Sequence, residues 1–389
     1  MRKIALLVLA ILSTTMIRGF TGSVEASGAI CIRADGSVFP STANITSVDN
    51  MTYTFTNDNC GSLVVQRDNI VVDGAGYTLQ GTRFWNSKGV DLAGRRNVTI
   101  ENMEIKEFFF GIWLKISFGN SISGNKMTHN KCGIWLSLSS NNNISQNHVS
   151  SNMDYGIYLE YSSSNYISGN RITAKGRVWE VYQYYSFYGI YLRHSSSNTV
   201  SENDITNSGC GVELFSSSGN NIHRNNITSN TYGLILWKSS NSTILGGDIA
   251  RNDCGILLAD SSSNLIHHCN FVDNAEQVHS QNSANAWDDG YPSGGSYWSD
   301  YGGRYPNAEE LDESGIWNMP YVLDQTNQDN FPLMRSWAPE EEASPPAEEN
   351  EVLFWTGWQM WAMVAVATVI LTGVVFLLRK RITRVRSGI

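Results

Sequence analysis

The stretch GIWLSLSSNNNISQNHV, residues 133–149, opens on Gly133, places apolar residues at Ile134 and Leu136, and returns to them at Ile144 and Val149 among Ser and Asn. Alternating apolar positions over a short segment mark a strand. The unit recurs, with starts at Gly89, Gly111, Gly133, Gly156, Gly189, Gly211, Gly233 and Gly255. Five of the seven spacings are 22 residues, one is 23 and one is 33, so a single insertion accounts for the long one. A period of this size means a solenoid.

Columns read down the repeat decide which solenoid. Counting each Gly as position 0, position +1 is Val90, Ile112, Ile134, Ile157, Ile190, Val212, Leu234 and Ile256, and +3 is Leu throughout, from Leu92 to Leu258. Position +11 (Ile100, Ile122, Ile144, Ile167, Val200, Ile222, Ile244, Ile266) and +16 (Ile105, Met127, Val149, Ile172, Ile205, Ile227, Ile249, Phe271) are apolar too. Each coil therefore carries three short strands with side chains directed inward. Leucine-rich repeats usually hold a helix in every unit, whereas β-branched residues dominate here and Gly, Ser and Asn interrupt every few positions. The fold class is all-β, a right-handed parallel β-helix of coils about 22 residues long, with end caps. Asn120, Asn142, Asn165, Asn198, Asn220 and Asn264 at +9, with Asn125, Asn147, Asn170, Asn203 and Asn225 at +14, suit turn positions where Asn tolerates positive φ. Stacked coils would align these amides in ladders.

The chain ends speak of location. Residues 1–26 pair Arg2 and Lys3 with an apolar run and Val24-Glu25-Ala26, the pattern of a secretory signal peptide. Residues 352–378 hold 27 positions without a charge, about 40 Å as a helix and long enough to cross a bilayer. Trp355, Trp358 and Trp361 crowd the outer end, and the tail 379–389 carries five basic residues. The positive-inside rule puts that tail in the cytoplasm and the preceding chain outside, as a single-pass membrane protein. Between them the sequence divides into an N-terminal cap and first coil (27–80), the repeats (81–278), a C-terminal cap (279–337) and an acidic stalk (338–351) with six Glu and three Pro. Without signal, stalk and tail, which together sum to +1, the ectodomain keeps a net charge of about −10 against −9 for the whole chain, which argues against nucleic acid. Sequons at Asn44, Asn50, Asn97, Asn143, Asn226 and Asn241 are candidate glycosylation sites.

Cys132, Cys210 and Cys254 precede the repeat Gly, in a column shared with Phe110, Tyr155, Tyr188 and Tyr232; parity with +1 and +3 directs this column inward. Cys210 and Cys254 are two coils apart, roughly 9.6 Å by strand spacing, too far for a disulfide. Cys31 and Cys60 in the cap are the candidate disulfide pair, and Cys269 stands alone. His267, His268 and Cys269 are consecutive, so strand alternation sends neighbours to opposite faces and no metal site is assigned. Glycoside cleavage by paired acids needs two carboxyls at a fixed separation. Glu160, Glu213 and Asp260 are isolated, and Asp288-Asp289 sits in a turn-rich segment, so no catalytic residue is assigned.

The outward face of the first strand is more suggestive. Position +2 is Trp113, Trp135, Tyr158 and Tyr191 in successive coils, followed at +4 by Phe215 and Trp237, and the insertion adds Trp179 and Tyr182. Exposed large apolar side chains at regular spacing mark a partner surface, and rings with polar tips suit sugar.

The segment Trp287-Asp288-Asp289-Gly290-Tyr291-Pro292-Ser293-Gly294-Gly295-Ser296-Tyr297-Trp298-Ser299-Asp300-Tyr301, with Pro320-Tyr321 and the run from Asn327 through Leu333, resembles the NosD-like parallel β-helix proteins of archaea and bacteria, within the carbohydrate-binding and sugar-hydrolase group. The resemblance covers residues 61–334. It implies a glycan-binding or envelope-structural role, an accessory role in maturing an exported copper enzyme, or a polysaccharide lyase, hydrolase or epimerase. A cation loop common before the Pro-Tyr pair here reads Asp312-Glu313-Ser314-Gly315-Ile316-Trp317-Asn318-Met319, without alternating Asp ligands, so calcium is not supported. Copper lacks a Met, His and Cys cluster, so no cofactor is assigned. The expected partners are the membrane and a glycan or another envelope protein.

Overall fold

The computed structural model describes residues 28–174 and 187–339. The signal segment, Trp179 and Tyr182 of the insertion, nearly all of the stalk, the 352–378 span and the basic tail lie outside the described residues. No helix among the described residues is long and apolar enough to cross a membrane.

The repeats wind into a parallel β-solenoid. One sheet stacks the first strands of successive coils, Lys88–Asp91, Phe110–Lys115, Cys132–Ser137, Tyr155–Glu160, Tyr188–Arg193, Cys210–Phe215, Tyr232–Trp237, Cys254–Ala259 and Glu276–Gln281. Residues one coil apart pair directly, as Ile112 with Ile134, Ile134 with Ile157, and Ile157 with Ile190. A second network carries the two shorter strands of each coil, such as Asn143–Ser145 and His148–Ser150. The solenoid extends upstream of the recognisable repeat, because Leu63–Val65 and Ile30–Ile32 pair in parallel with it. Tyr155 still pairs with Tyr188 and Arg171 with Asp204, so the chain on both sides of the insertion keeps full register.

Inward columns at +1, +3, +11 and +16 are almost wholly removed from water, Ile134, Leu136, Ile144 and Val149 all at 0% exposure. The corners explain the polar residues. Non-glycine residues with positive φ recur at +5 (Leu138, Tyr161, His194), +8 (Asn141, Ser164, Ser197), +13 (Gln146, Glu202, Arg224) and +18 (Ser151, Asn207, Ser229). The left-handed residue is thus the one before the expected Asn. That Asn is freed to turn its side chain inward and satisfy the backbone that the corner leaves unpaired. Asn147 accepts from the backbone N–H of Asn125 at 3.0 Å and donates to the carbonyl of Ile122 at 2.8 Å and to Asn170 Oδ1 at 3.0 Å. Two further ladders went unread in the sequence. Ser117, Ser139, Ser162, Ser195, Ser217, Ser239 and Ser261 at +6 each accept from the coil before or pass a bond to the coil after, as Ser195 Oγ takes the N–H of Ser162 at 2.9 Å. Asn130, Asn152, Asn230, Asn252 and Asn274 do the same at +19.

The open C-terminal end is plugged by aromatic rings. Trp298 stacks on Phe271 of the last coil and on Tyr321, each at 4.2 Å and 6° between planes. Asp329, fully buried, accepts from the Ser296 N–H at 2.8 Å and the Trp298 indole at 2.9 Å, which fixes the plug.

Candidate functional site

The repeat Gly overturns the parity expected for the residue before it. A Cβ built on Gly133 would point at Val149 Cγ1, 2.8 Å away in the core, and lie 2.6 Å from the Gly156 carbonyl oxygen. Position 0 therefore faces inward, and so does +1. Two successive inward residues shift the alternation as a bulge does, so positions −1 and +2 both face out. Phe110, Cys132, Tyr155 and Tyr188 thus lie beside Trp113, Trp135, Tyr158 and Tyr191, forming with Phe109 a cluster separate from the solenoid core.

These residues make a wall two rings wide on the outer face of the first sheet. Trp135, Tyr158 and Tyr191 stack in succession at 5.2 and 5.1 Å, with planes 20° and 19° apart. Tyr155 joins Tyr158 at 4.8 Å and Tyr188 joins Tyr191 at 5.2 Å. Offset stacks of this kind add about 0.5–1.5 kcal/mol per pair beyond burial. The rings cover one another, leaving Tyr158 at only 7% exposure. Sugar stacking on free ring faces, the sequence expectation, is not what Tyr158 offers. At the N-terminal end Lys88 Nζ lies 3.2 Å from the Trp113 ring centre and 2.9 Å from Asp91. Phe215 and Trp237 belong to another series, through His194 to Tyr161, and do not continue the wall; Trp237 is 46% exposed.

Two polar groups in the wall lack a match. The Trp135 Nε1 is buried without a hydrogen-bond partner, which costs about 1–3 kcal/mol if it stays so. Glu213 continues the +2 column after Tyr191, at 7% exposure, and burial alone pushes its carboxyl up to about 7. Burial likewise pushes the hydroxyls of Tyr158, Tyr188 and Tyr191 well above their usual range, so all three remain neutral donors. Glu160, by contrast, pairs with Arg193 at 3.3 Å. In the sequence Glu213 is an isolated outward acid; its burial follows from Tyr191 in the coil before and Ile235 in the coil after.

Other expectations find their places. Cys132, Cys210 and Cys254 are buried, but on this outer side, each thiol directed at the carbonyl two residues on. Cys60 is exposed and unbridged, so the Cys31–Cys60 pair is not formed. The six sequon asparagines lie at the surface, five exposed and Asn44 half-buried. Asp288 fills a turn role, accepting from Gly290 N and from Asn330. His267 and His268 do converge, against the alternation argument, because His268 sits at a left-handed corner (φ 55°) and their ring centres are 4.7 Å apart. Asp289 from the cap is the third member, and Cys269 turns into the core.

The NosD family model, described as a periplasmic copper-binding protein, matches residues 180–303, and the model of the right-handed β-helix region matches residues 68–183. No curated protein sequence matches the chain. Among solved structures, the periplasmic alginate epimerase AlgG is similar over 62% of this chain and 80% of that one, at 14% identity and a TM-score of 0.47; over a double-mutant form the chain spans 64% of its length. DFA-IIIase from Arthrobacter chlorophenolicus A6, without its lid, is similar over 72% and 68%, at 14% identity and 0.44. The enzymatically active domain of bacteriophage CBA120 tailspike protein 2 is similar over 59% and 43%, at 15% and 0.39. At these scores the likenesses carry no argument about function.

Proposed function

The chain being a NosD-like right-handed β-helix repeat protein, we propose that it is an exported, membrane-anchored glycan-binding protein whose aromatic wall receives a polysaccharide lying along the rod. The carrying observation is the wall itself, with its unmatched indole N–H at Trp135 and its Glu213 carboxyl raised to about 7 by burial. A sugar chain is dense in hydroxyls that both donate and accept, and it repeats on a scale of several ångströms, as the coils do. Contact runs through ring edges and the Tyr hydroxyls, with the buried indole N–H and Glu213 directly behind them, rather than through open ring faces. Export rests on the 1–26 signal and the 352–378 span read from the sequence, and the family's periplasmic description supports it.

The same Glu213 favours a second reading, a polysaccharide-cleaving enzyme, since an acid held near 7 is poised to donate a proton. One experiment separates the two. The full-length chain in detergent, incubated with a panel of acidic and neutral polysaccharides, is expected to retain one class on a column without releasing reducing or unsaturated ends. Trp135→Phe and Glu213→Gln should each weaken retention without lowering the melting temperature. Product release lost in Glu213→Gln would instead establish the enzyme, and retention unchanged in both variants would remove the wall from function.

A further inference from the structure

We infer that His267, His268 and Asp289 form a binding site for one divalent transition-metal ion at the C-terminal end of the solenoid. The inference stands apart from the glycan reading, on a different face and different residues. One donor atom from each of the three residues lies within 4.8 Å of the others. Donors bound about 2.0–2.2 Å from a common ion stand about 3–4 Å apart, so modest side-chain rotation closes the set.

Two observations point beyond a chance cluster. His267 is 7% exposed, and its Nδ1 is buried without a hydrogen-bond partner, facing Asp289 Oδ2 at 3.5 Å. A buried ring nitrogen that lacks a hydrogen-bond partner and faces a carboxylate offers the lone pair and the anionic neighbour that a cation needs. The second is orientation. His268 Nε2 contacts the Ser293 carbonyl at 3.0 Å, and because a carbonyl only accepts, this nitrogen carries the proton and Nδ1 keeps its lone pair. Trp337 stacks on the same ring at 5.5 Å and 10°, and Ser293 Oγ donates to Asp289 Oδ2 at 2.8 Å. Metal-bound histidines and carboxylates are held by outer bonds of this kind.

The donor set selects the ion. Two imidazoles and one carboxylate suit copper(II) or zinc, and they leave at least one position for water. Copper(I) wants soft sulfur, but the Cys269 thiol is fully buried and directed at the carbonyls of Ile244, Gly246 and His267. Copper in the family's description is therefore matched here only in its divalent form. His267 and His268 come from the last repeat coil and Asp289 from the cap, so an ion would tie the cap to the rod.

The test is titration of the full-length, chelator-stripped chain in detergent with copper(II) and, separately, zinc. One equivalent of copper(II) is expected, with two-nitrogen hyperfine structure in its electron paramagnetic spectrum and a raised melting temperature. His268→Gln and Asp289→Asn should each weaken binding at least about tenfold, the lower end of what even outer-shell partners cost, with the metal-free melting temperature unchanged. His267→Gln should abolish binding; should its cap loosen, the other two variants decide. No stoichiometric binding by the parent, or binding by both His268→Gln and Asp289→Asn equal to the parent's, overturns the site.

Discussion

Glu213 shows how a single side chain acquires chemistry from its column. Its cross-strand neighbours are Tyr191 and Ile235, and together they strip water from the carboxyl. Its pKa in the fold, about 7, stands above the ordinary glutamate value of 4.5. The folded state therefore favours the protonated acid. Below pH 4.5 the group costs nothing; as pH rises towards 7 the unfolded chain releases a proton that the folded chain keeps, and stability falls by about 3 kcal/mol before levelling off. Gln mimics the protonated form. Chemical unfolding of Glu213→Gln and the parent should give equal stability at pH 4 and a more stable variant at pH 8. Asp329 is also raised to about 7 and gives the parent a similar slope, which cancels in the difference. An advantage of the same size at both pH values would mean that packing rather than ionisation sets it. None of this was legible in the sequence, where Glu213 is one acid among many, because burial on an outer face comes from side chains of the neighbouring coils.

At the scale of the element, the strand that opens each coil carries the main departure from sequence reasoning. The inward columns at +1 and +3 were readable from period-two alternation, and the Asn ladders from their recurrence. The residue before Gly was misread because alternation was extended through a position where it breaks. Glycine is required there by close approach of the next coil, not by positive φ. A Cβ on Gly156 would lie 2.5 Å from the Gly189 carbonyl oxygen and 2.8 Å from Ile172 Cγ2. Neither the backbone nor a packed core residue can retreat, so Gly156→Ala should destabilise by about 1–3 kcal/mol or more. Gly302, in the short helix Tyr301–Arg304, has nothing within 4 Å of a built Cβ, and its Ala variant should be neutral or slightly stabilising. Equal melting temperatures for the two variants would refute the inward bulge, and with it the pairing of the −1 and +2 columns. The Ser ladder at +6 was recoverable from the sequence, since every coil from Gly111 to Gly255 carries it. Serine is common in turns, so its recurrence alone does not distinguish a ladder from ordinary corner residues.

At the scale of the whole molecule, the solenoid is a one-dimensional object whose strands contact the coil before and the coil after. Its architecture was the most legible level, because a period needs no knowledge of what each side chain touches. The same property makes the rod tolerant of losing a complete unit. Deleting residues 111–132 joins Phe110 to Gly133 and carries each ladder across the junction. The N–H groups of Val98, Met103 and Phe108, which now reach Asn120, Asn125 and Asn130, would meet Asn142, Asn147 and Asn152 at the same positions of the next coil. Phe110 already packs on Trp135 at 4.5 Å, so the wall closes over the gap. This 22-residue deletion should keep a single cooperative unfolding transition and a β-rich circular dichroism spectrum, at a somewhat lower melting temperature. Deleting only residues 111–121 removes the same kind of sequence but sets corners against strands, and it should leave no cooperative transition. If the half-coil deletion melts like the full-coil one, the coils are not held by position-specific ladders, and stability rests on apolar collapse alone.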